Sequence, residues 1–354
     1  MSTDRSRRLW TLVSLLLLVA ACGGESSLDS STTTTTTSTT TSAPTTTLAP
    51  TTTTTTVPTT APPDPPGALP LLDDGRPATW LGVTTDYEAV EVDTLTGEIL
   101  RSIGQVSTAE EVATAECAAC VNAIDFVWRT YDGAYFFVSQ CCEPAAGSIH
   151  VLPEDQSPLL LDDLGDVPSW HFWWATPAPD SHEVVLLGYH VLITTADVTP
   201  LTAQAGVDYV EAWVNTESDP TFPISNAVWA GDVIRWLEGS DGVTRLRTFD
   251  RRDGSSDLVD VPDLAGWSLA GLTSRASGEL VVVRSRPDGV AAEAIVLDVD
   301  GNVTGSFDVA AGARLGGYDR TGRFLVYTAD DGVVRWHGED DGGVLGEGFV
   351  HASW

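Results

Sequence analysis

The feature that most constrains this chain is an internal repeat. A tight-turn signal followed directly by an apolar run recurs six times beyond residue 70. It stands at Asp74-Gly75 before Ala78-Thr-Trp-Leu-Gly-Val83, at Asp132-Gly133 before Ala134-Tyr-Phe-Phe-Val138, and at Asp180-Ser181 before Val184-Val-Leu-Leu187. It returns at Gly231-Asp232 before Val233-Ile-Arg-Trp236, at Ser277-Gly278 before Leu280-Val-Val-Val283, and at Thr321-Gly322 before Phe324-Leu-Val-Tyr327. The turns lie 58, 48, 50, 47 and 44 residues apart, a unit of about 47 residues. A fixed period of this size marks a structural array, in which one small unit buries its apolar faces against the next. Glycine relieves the positive-φ strain of the turn, and the unbroken apolar runs suit strands buried on both faces.

Each unit holds a second hairpin. Ala89–Asp93 and Glu98-Ile99-Leu100 flank a turn ending at Gly97; Arg245–Asp250 precedes Gly254, and Ala294–Asp298 precedes Gly301. Weaker copies lie near Pro153, Asp197 and Gly338. Two hairpins make four antiparallel strands, the content of one propeller blade, and helical periodicity is nearly absent. The reading is an all-β, six-bladed β-propeller of four-stranded antiparallel blades over residues 70–354; seven blades or two sandwiches stay open as alternatives. The first unit starts convincingly only at its second strand, near Trp80, whereas Phe349-Val-His-Ala-Ser-Trp354 looks like a first strand whose unit then stops. The expectation is that 348–354 supplies the innermost strand beside 78–84, closing the array and removing an exposed sheet edge.

The blades from Pro179-Asp-Ser-His-Glu-Val-Val185 and Tyr318-Asp-Arg-Thr-Gly-Arg-Phe-Leu-Val-Tyr327 resemble those of TolB-like and WD40-like propellers. The resemblance covers roughly 70–354. Its motifs mark turns and packing, so it implies a fold and no particular partnership. The usual Ser-Pro-Asp-Gly turn is degenerate here, and the first unit carries an insertion.

The chain begins with Arg5, Arg7 and Arg8, then the apolar run 9–21, then Cys22. Val19-Ala-Ala-Cys22 resembles a bacterial lipobox, and residues 1–21 a lipoprotein signal peptide. The run is shorter than the about 20 residues a membrane span needs. The resemblance implies export, cleavage before Cys22 and two or three acyl chains on that cysteine; two already anchor a protein stably. Residues 22–69 are expected to form a disordered Ser/Thr/Pro-rich linker, because Thr runs such as 32–37 and 51–56 bury too little apolar surface to offset their ordering entropy. Its Ser/Thr/Pro/Ala-rich part, residues 25–67, reaches roughly 35 Å as a coil and roughly 130 Å in polyproline II.

Charge narrows the partners. The chain has 50 Asp and Glu against 18 basic residues, all arginine, for a net charge of −32. That balance opposes binding to nucleic-acid phosphates and to anionic headgroups. The expected partners are the membrane, through lipid on Cys22, and an envelope protein or glycan; no cofactor is expected.

Cys117, Cys120, Cys141 and Cys142 form an even set in an exported chain, which suggests two disulfides. Three pairings exist, and joining each of Cys117 and Cys120 to one of Cys141 and Cys142 avoids a strained ring between neighbours. The rival, a zinc site, is awkward with adjacent ligands. Ser107-Thr-Ala-Glu110 reads as a capping box opening a short helix in the insertion. Trp170, His171, Trp173 and His351 fall on expected inner strands and form a candidate binding face, although wedge packing between blades also calls for bulky rings. No catalytic set is assembled, and a metal site is left undetermined. Gly266-Trp-Ser268 lacks the strand-turn-helix setting of a nucleophile elbow, and Asp298-Val-Asp300-Gly-Asn302 reads as a hairpin rather than a calcium loop. The leading expectation is a non-catalytic binding or scaffolding module. The alternative is a lactonase-like metal-dependent hydrolase whose acidic and His ligands converge on the axis from several strands.

Overall fold

The computed structural model describes residues 69–354, apart from 116–122, 132, 141–147, 153–158, 161–171, 182, 189–190, 197–207, 215–221, 241 and 286–291. The chain divides into two units, Met1–Thr60 and Ala61–Trp354, and every described residue belongs to the second. The expected signal peptide, Cys22 and nearly all of the linker lie outside the described residues.

The described residues are nearly all β. The strands β1 (Thr79–Thr84), β2 (Glu88–Asp93) and β3 (Ile99–Gln105) meander and lead into the short helix α1 (Ala109–Thr114). A second sheet holds β4 (Ala123–Arg129), β5 (Tyr135–Gln140), β6 (Ser148–Leu152) and β7 (Leu159–Leu160). A third holds β8 (Phe172–Pro177), β9 (Val184–Gly188), β10 (Val191–Ala196) and β11 (Asp208–Val214). The fourth comprises β12 (Phe222–Pro223), β13 (Val228–Ala230), β14 (Val233–Ser240), β15 (Val243–Asp250) and β16 (Ser256–Asp260). The fifth comprises β17 (Ser268–Ser274), β18 (Leu280–Ser285), β19 (Ala292–Leu297) and β20 (Val303–Val309). The last meander is β21 (Arg314–Tyr318), β22 (Leu325–Thr328), β23 (Val333–His337) and β24 (Gly342–Glu347), after which β25 (Phe349–Ser353) returns to pair with β1. In the fourth sheet β12 and β13 are two pieces of one inner strand, both paired with β14.

The repeat read from the sequence is this succession of sheets. Gly133, Gly231, Gly278 and Gly322 turn the first strand of a meander into the second with φ of 87°, 65°, 88° and 71°. Gly75, at 88°, holds the matching place before β1. The apolar runs are the second strands, and Leu280–Val283 and Leu325–Thr328 are buried along their length, as central strands covered on both faces should be. Asp298-Val-Asp300-Gly-Asn302 is a hairpin turn, its Asp298 carboxylate accepting from the Asp300 and Asn302 amides.

The chain end docks as expected. β25 runs antiparallel to β1 with Leu81 opposite Ser353, Gly82 opposite Ala352 and Val83 opposite His351. Two glycines permit the fit. A Cβ on Gly82 would stand 2.6 Å from the Phe349 ring, and one on Gly316 only 1.6 Å from the Ala352 carbonyl oxygen. Trp80 meets Phe349 edge-on, with ring centroids 4.8 Å apart.

Neighbouring sheets bury apolar faces against each other at five successive junctions. The β25–β3 sheet packs on β4–β5 through Leu81, Ile103, Ile124 and Tyr135, and on β21–β24 through Trp80, Val92, Phe324 and Trp336. β9 meets the fourth sheet through Val185, Leu187, Trp229 and Trp236. The fourth meets the fifth through Leu237, Leu246, Val282 and Ile295, and the fifth meets the last meander through Val281, Val296 and Leu325. Trp80, Trp229, Trp236 and Trp336 thus serve junction packing.

One expectation needs correcting by a residue. The helix in the insertion is capped by Thr108, not Ser107. Thr108 Oγ1 accepts from the Glu111 amide, and the Glu111 carboxylate accepts from the Thr108 amide at 2.8 Å. Both Ser107-x-x-Glu110 and Thr108-x-x-Glu111 satisfy the motif. The observed register lets Asp86 Oδ1, from the β1–β2 turn, accept from the Ala109 amide at 2.8 Å.

Candidate inner-strand site

Among the described residues, the first strands β4, β8 and β17 each receive side-chain hydrogen bonds from an adjoining sheet. Asn226 accepts from the Leu272 amide at 2.6 Å and donates to the Leu272 carbonyl at 2.7 Å, bridging β13's sheet to β17. Trp229 Nε1 donates to the Thr176 carbonyl at 2.9 Å. β25 does the same for β4: Ser353 Oγ donates to the Val127 carbonyl at 2.6 Å, and His351 Nδ1 accepts from the Val127 amide at 3.4 Å.

These strands are also bulged. On β4 the pairing with β5 slips between Ile124 and Phe126, leaving Asp125 as the extra residue; β8, β17, β21 and β25 slip at corresponding places. A bulge re-aims a side chain out of the regular alternation. At β17 the displaced residues are Ala270 and Gly271 and at β21 Gly316, whereas at β4 the residue is a carboxylate.

The charge of Arg314, at the start of β21, acts on two polar side chains here, Asp125 on β4 and His351 on β25. Asp125 is half-buried and has no hydrogen-bond partner among the described residues. Burial pushes its carboxyl up to about 6, against the opposite pull of Arg314. His351 is 1% exposed. Burial pushes its imidazole down to about 3, and the charge of Arg314 acts in the same sense. Because Nδ1 accepts from Val127, the proton of the neutral ring is assigned to Nε2, a buried donor without a partner among the described residues. The imidazole lies edge-on to Phe126 and Trp128, at 5.1 and 5.4 Å, and those two half-buried rings stack with centroids 5.5 Å apart. Arg314, at the start of β21, is exposed.

Carboxylates elsewhere contrast with Asp125. Glu91 on β2 takes the guanidinium of Arg101 at 2.9 Å, that of Arg129 and the hydroxyls of Thr79 and Tyr135. Burial works to raise Glu91, but the charge and hydrogen bonds of Arg129 and its neighbours outweigh it and leave the carboxyl below its usual value. Glu238, 1% exposed, accepts bidentately from Arg247 and from Trp236 Nε1. Those two are structural, whereas the Asp125 carboxylate has no hydrogen-bond partner among the described residues.

Of the residues singled out in the sequence, His351 lies on the inner strand expected for it. Trp173 falls at the β8 bulge, and its side chain is not among those described. Trp170, His171, Cys117, Cys120, Cys141, Cys142 and Cys22 lie outside the described residues. Sequence reasoning missed Asp125 and Arg314. The one available signal was a lone acid inside the apolar run Ala123-Ile-Asp-Phe-Val-Trp128. Among the described residues no three of His, Cys, Asp and Glu stand together as a metal-donor set, and no helix is long and apolar enough to cross a membrane.

Comparison with known proteins now defines the class of fold. The architecture is similar to that of TolB from Acinetobacter baumannii, with a TM-score of 0.51 at 12% identity over 78% of this chain and 65% of that one. The protein therefore has a β-propeller type of fold. Weaker likenesses, which carry no argument of their own, are to the Dos1 propeller (TM-score 0.42, 11% identity, 76% of this chain and 68% of that one) and to prolyl oligopeptidase B from Galerina marginata (0.41, 9%, 75% and 50%). No protein-family model matches the chain. By sequence it is 30% identical over 149 residues to mycoketide-CoA synthase of Mycobacterium tuberculosis (strain ATCC 25618 / H37Rv). That match takes in 38% of this chain but only 3% of the synthase, too little to define a family.

Proposed function

We propose that this protein is an exported, lipid-anchored lipoprotein whose six-bladed propeller, carried on the stalk 22–69, is a non-catalytic binding module for an envelope protein or glycan. The lipobox-like Val19–Cys22, the Thr-rich segment and the propeller-type fold support the arrangement. The observation that carries binding is the inner-strand site. Asp125 is desolvated and without a hydrogen-bond partner among the described residues, and the His351 imidazole, edge-on to Phe126 and Trp128, leaves its Nε2–H unmatched. The fold matches Glu91 and Glu238 fully but leaves the Asp125 carboxylate without a partner among the described residues, and that contrast supports a recognition role there.

The test is capture from envelope extract by the full-length protein, beside Arg314→Gln and a Cys22→Ala form. A specific species that is retained by wild type and lost from Arg314→Gln, together with release of Cys22→Ala from membranes, supports the reading. Equal recovery with and without Arg314 removes the site from it, and membrane retention of Cys22→Ala removes the anchor.

A further inference from the structure

We infer that Arg320 is a latch over the seat of β25: it joins the last meander to the second sheet, on either side of that strand, and its release lets β25 open while the other sheets stay folded. Opening bares the β1 edge over Leu81–Thr84, where β25 is otherwise paired.

No turn ties β25 to β1, and only Gly348 joins it to β24. Its docking is therefore a step of its own, which can reverse at a lower cost than global unfolding. What resists is enclosure. Phe349, His351, Ala352, Ser353 and Trp354 are all buried, and two different sheets hold them. From the last meander, the Thr328 hydroxyl donates to the Val350 carbonyl at 3.2 Å, and the Phe324 carbonyl accepts from Trp354 Nε1 at 2.7 Å. From the second sheet, the Val127 carbonyl accepts from Ser353 Oγ at 2.6 Å, and the Val127 amide donates to His351 Nδ1 at 3.4 Å. A strand so covered leaves only when those two sheets part.

Arg320 joins the same two sheets directly. It stands in the β21–β22 turn, and the two N–H groups of its Nη2 donate to the Thr130 carbonyl at 3.2 Å and the Tyr131 carbonyl at 2.9 Å, in the β4–β5 turn. Both ends of this strap are stiff. Around Arg320, the Asp319 carboxylate accepts from the amides of Thr321, Arg323 and Phe324 at 3.1, 2.8 and 2.8 Å. At the far end, the Thr130 hydroxyl donates to the Ala134 carbonyl and the Gly133 amide to the Thr130 carbonyl, each at 3.1 Å. A bond between two stiff turns fixes the spacing of their sheets, and so sets how readily the seat between them opens. Its loss leaves every contact of β25 in place and removes only what keeps the sheets from parting.

The test is hydrogen–deuterium exchange of the full-length protein in detergent, read by mass spectrometry on peptides covering 349–354 and, within β18, 280–285. In Arg320→Gln, exchange in 349–354 should rise about five-fold or more, the effect of losing charge-assisted hydrogen bonds that are partly exposed to water. Exchange in 280–285 should stay as in wild type. Arg252→Gln, which removes an exposed arginine from the β15–β16 turn, should change neither peptide. A rise confined to 349–354 in Arg320→Gln supports the latch. A rise of equal size in both peptides overturns it, as does failure of Arg320→Gln to fold, because either makes Arg320 a part of global stability. No rise in 349–354, or the same rise in Arg252→Gln, overturns it too.

Discussion

The β25–β1–β2–β3 sheet and the β17–β20 sheet have the same strand order, yet their inner strands are held in different ways. β17 is tied to β18 by the covalent turn Arg275–Glu279, with Gly278 at φ 88°. β25 has no such turn. Its place is fixed by the β1 ladder, the Trp80–Phe349 contact, the Ser353–Val127 bond, the Thr328 hydroxyl on the Val350 carbonyl and Trp354 Nε1 on the Phe324 carbonyl at 2.7 Å. A turn makes the inner strand's local concentration high whatever its side chains are; without one, packing and edge bonds must do all of it. The comparison teaches that where the chain is discontinuous, stability concentrates in a few residues. Substitutions there should be far more costly than at matching positions in the continuous sheet.

Removing residues 349–354 tests this most severely. It takes Phe349, Ala352 and Trp354 out of the core and opens an edge of β1, so loss of soluble, cooperatively unfolding protein is expected. A two-residue insertion in the Arg275–Glu279 turn should leave a single cooperative transition. Thermal melts of the two variants decide the point, and an unchanged melt for the truncation would break the comparison.

Next come the bulge glycines. Gly316→Ala drives a methyl into the Ala352 backbone, which cannot rotate aside, and should cost about 3 kcal/mol. Gly271, at the β17 bulge, has φ of 84° and nothing nearer than 3.8 Å to a built Cβ. Its alanine variant should cost about 1 to 2 kcal/mol, from backbone strain alone. Urea midpoints for the pair check the order. Edge bonds follow. Asn226→Ala strands both the amide and the carbonyl of Leu272, about 2 kcal/mol, while Ser353→Ala strands one carbonyl, about 1 kcal/mol. Equal losses would mean that water replaces these side chains.

How much of this was legible in the sequence follows from which forces are local. Gly133, Gly231, Gly278 and Gly322 were readable because positive φ selects glycine whatever surrounds it. The docking of 349–353 was readable because the first unit lacked a strand and the chain end offered one. The helix cap was readable only to within a residue, since two registers fit and Asp86, distant in sequence, chose between them. Asp125 was not readable as a site. Its aim depends on a bulge, its pKa on burial, and Arg314, whose charge acts on it, lies far along the chain. Wedge packing by bulky rings, weighed for the inner-strand aromatics, is what Trp80, Trp229, Trp236 and Trp336 do at the sheet junctions.

The smallest effect separates the two bulges by charge instead of shape. Asp125 has its carboxyl raised from 3.8 to about 6 by burial, so the folded state holds a proton more readily than the unfolded chain does. Its contribution to stability is therefore most favourable below the unfolded value and is lost as pH rises through about 6. Above that window the ionised, desolvated carboxylate destabilises the fold, by about 1 kcal/mol once its partial exposure is discounted. Asp125→Asn should accordingly raise the melting temperature at pH 7 and change it little near pH 4. His351 works in the opposite direction. Its imidazole is pushed down to about 3, so its contribution is lost as pH falls below its ordinary value of 6.5, but it does so in wild type and variant alike and cancels in the difference between them. At β17 the bulge carries Ala270 and Gly271, with nothing to titrate, and Gly271→Ala should shift stability equally at both pH values. A pH-independent difference for Asp125→Asn would mean that the carboxylate is solvated after all, and the inner-strand site would lose the desolvation on which its recognition role depends.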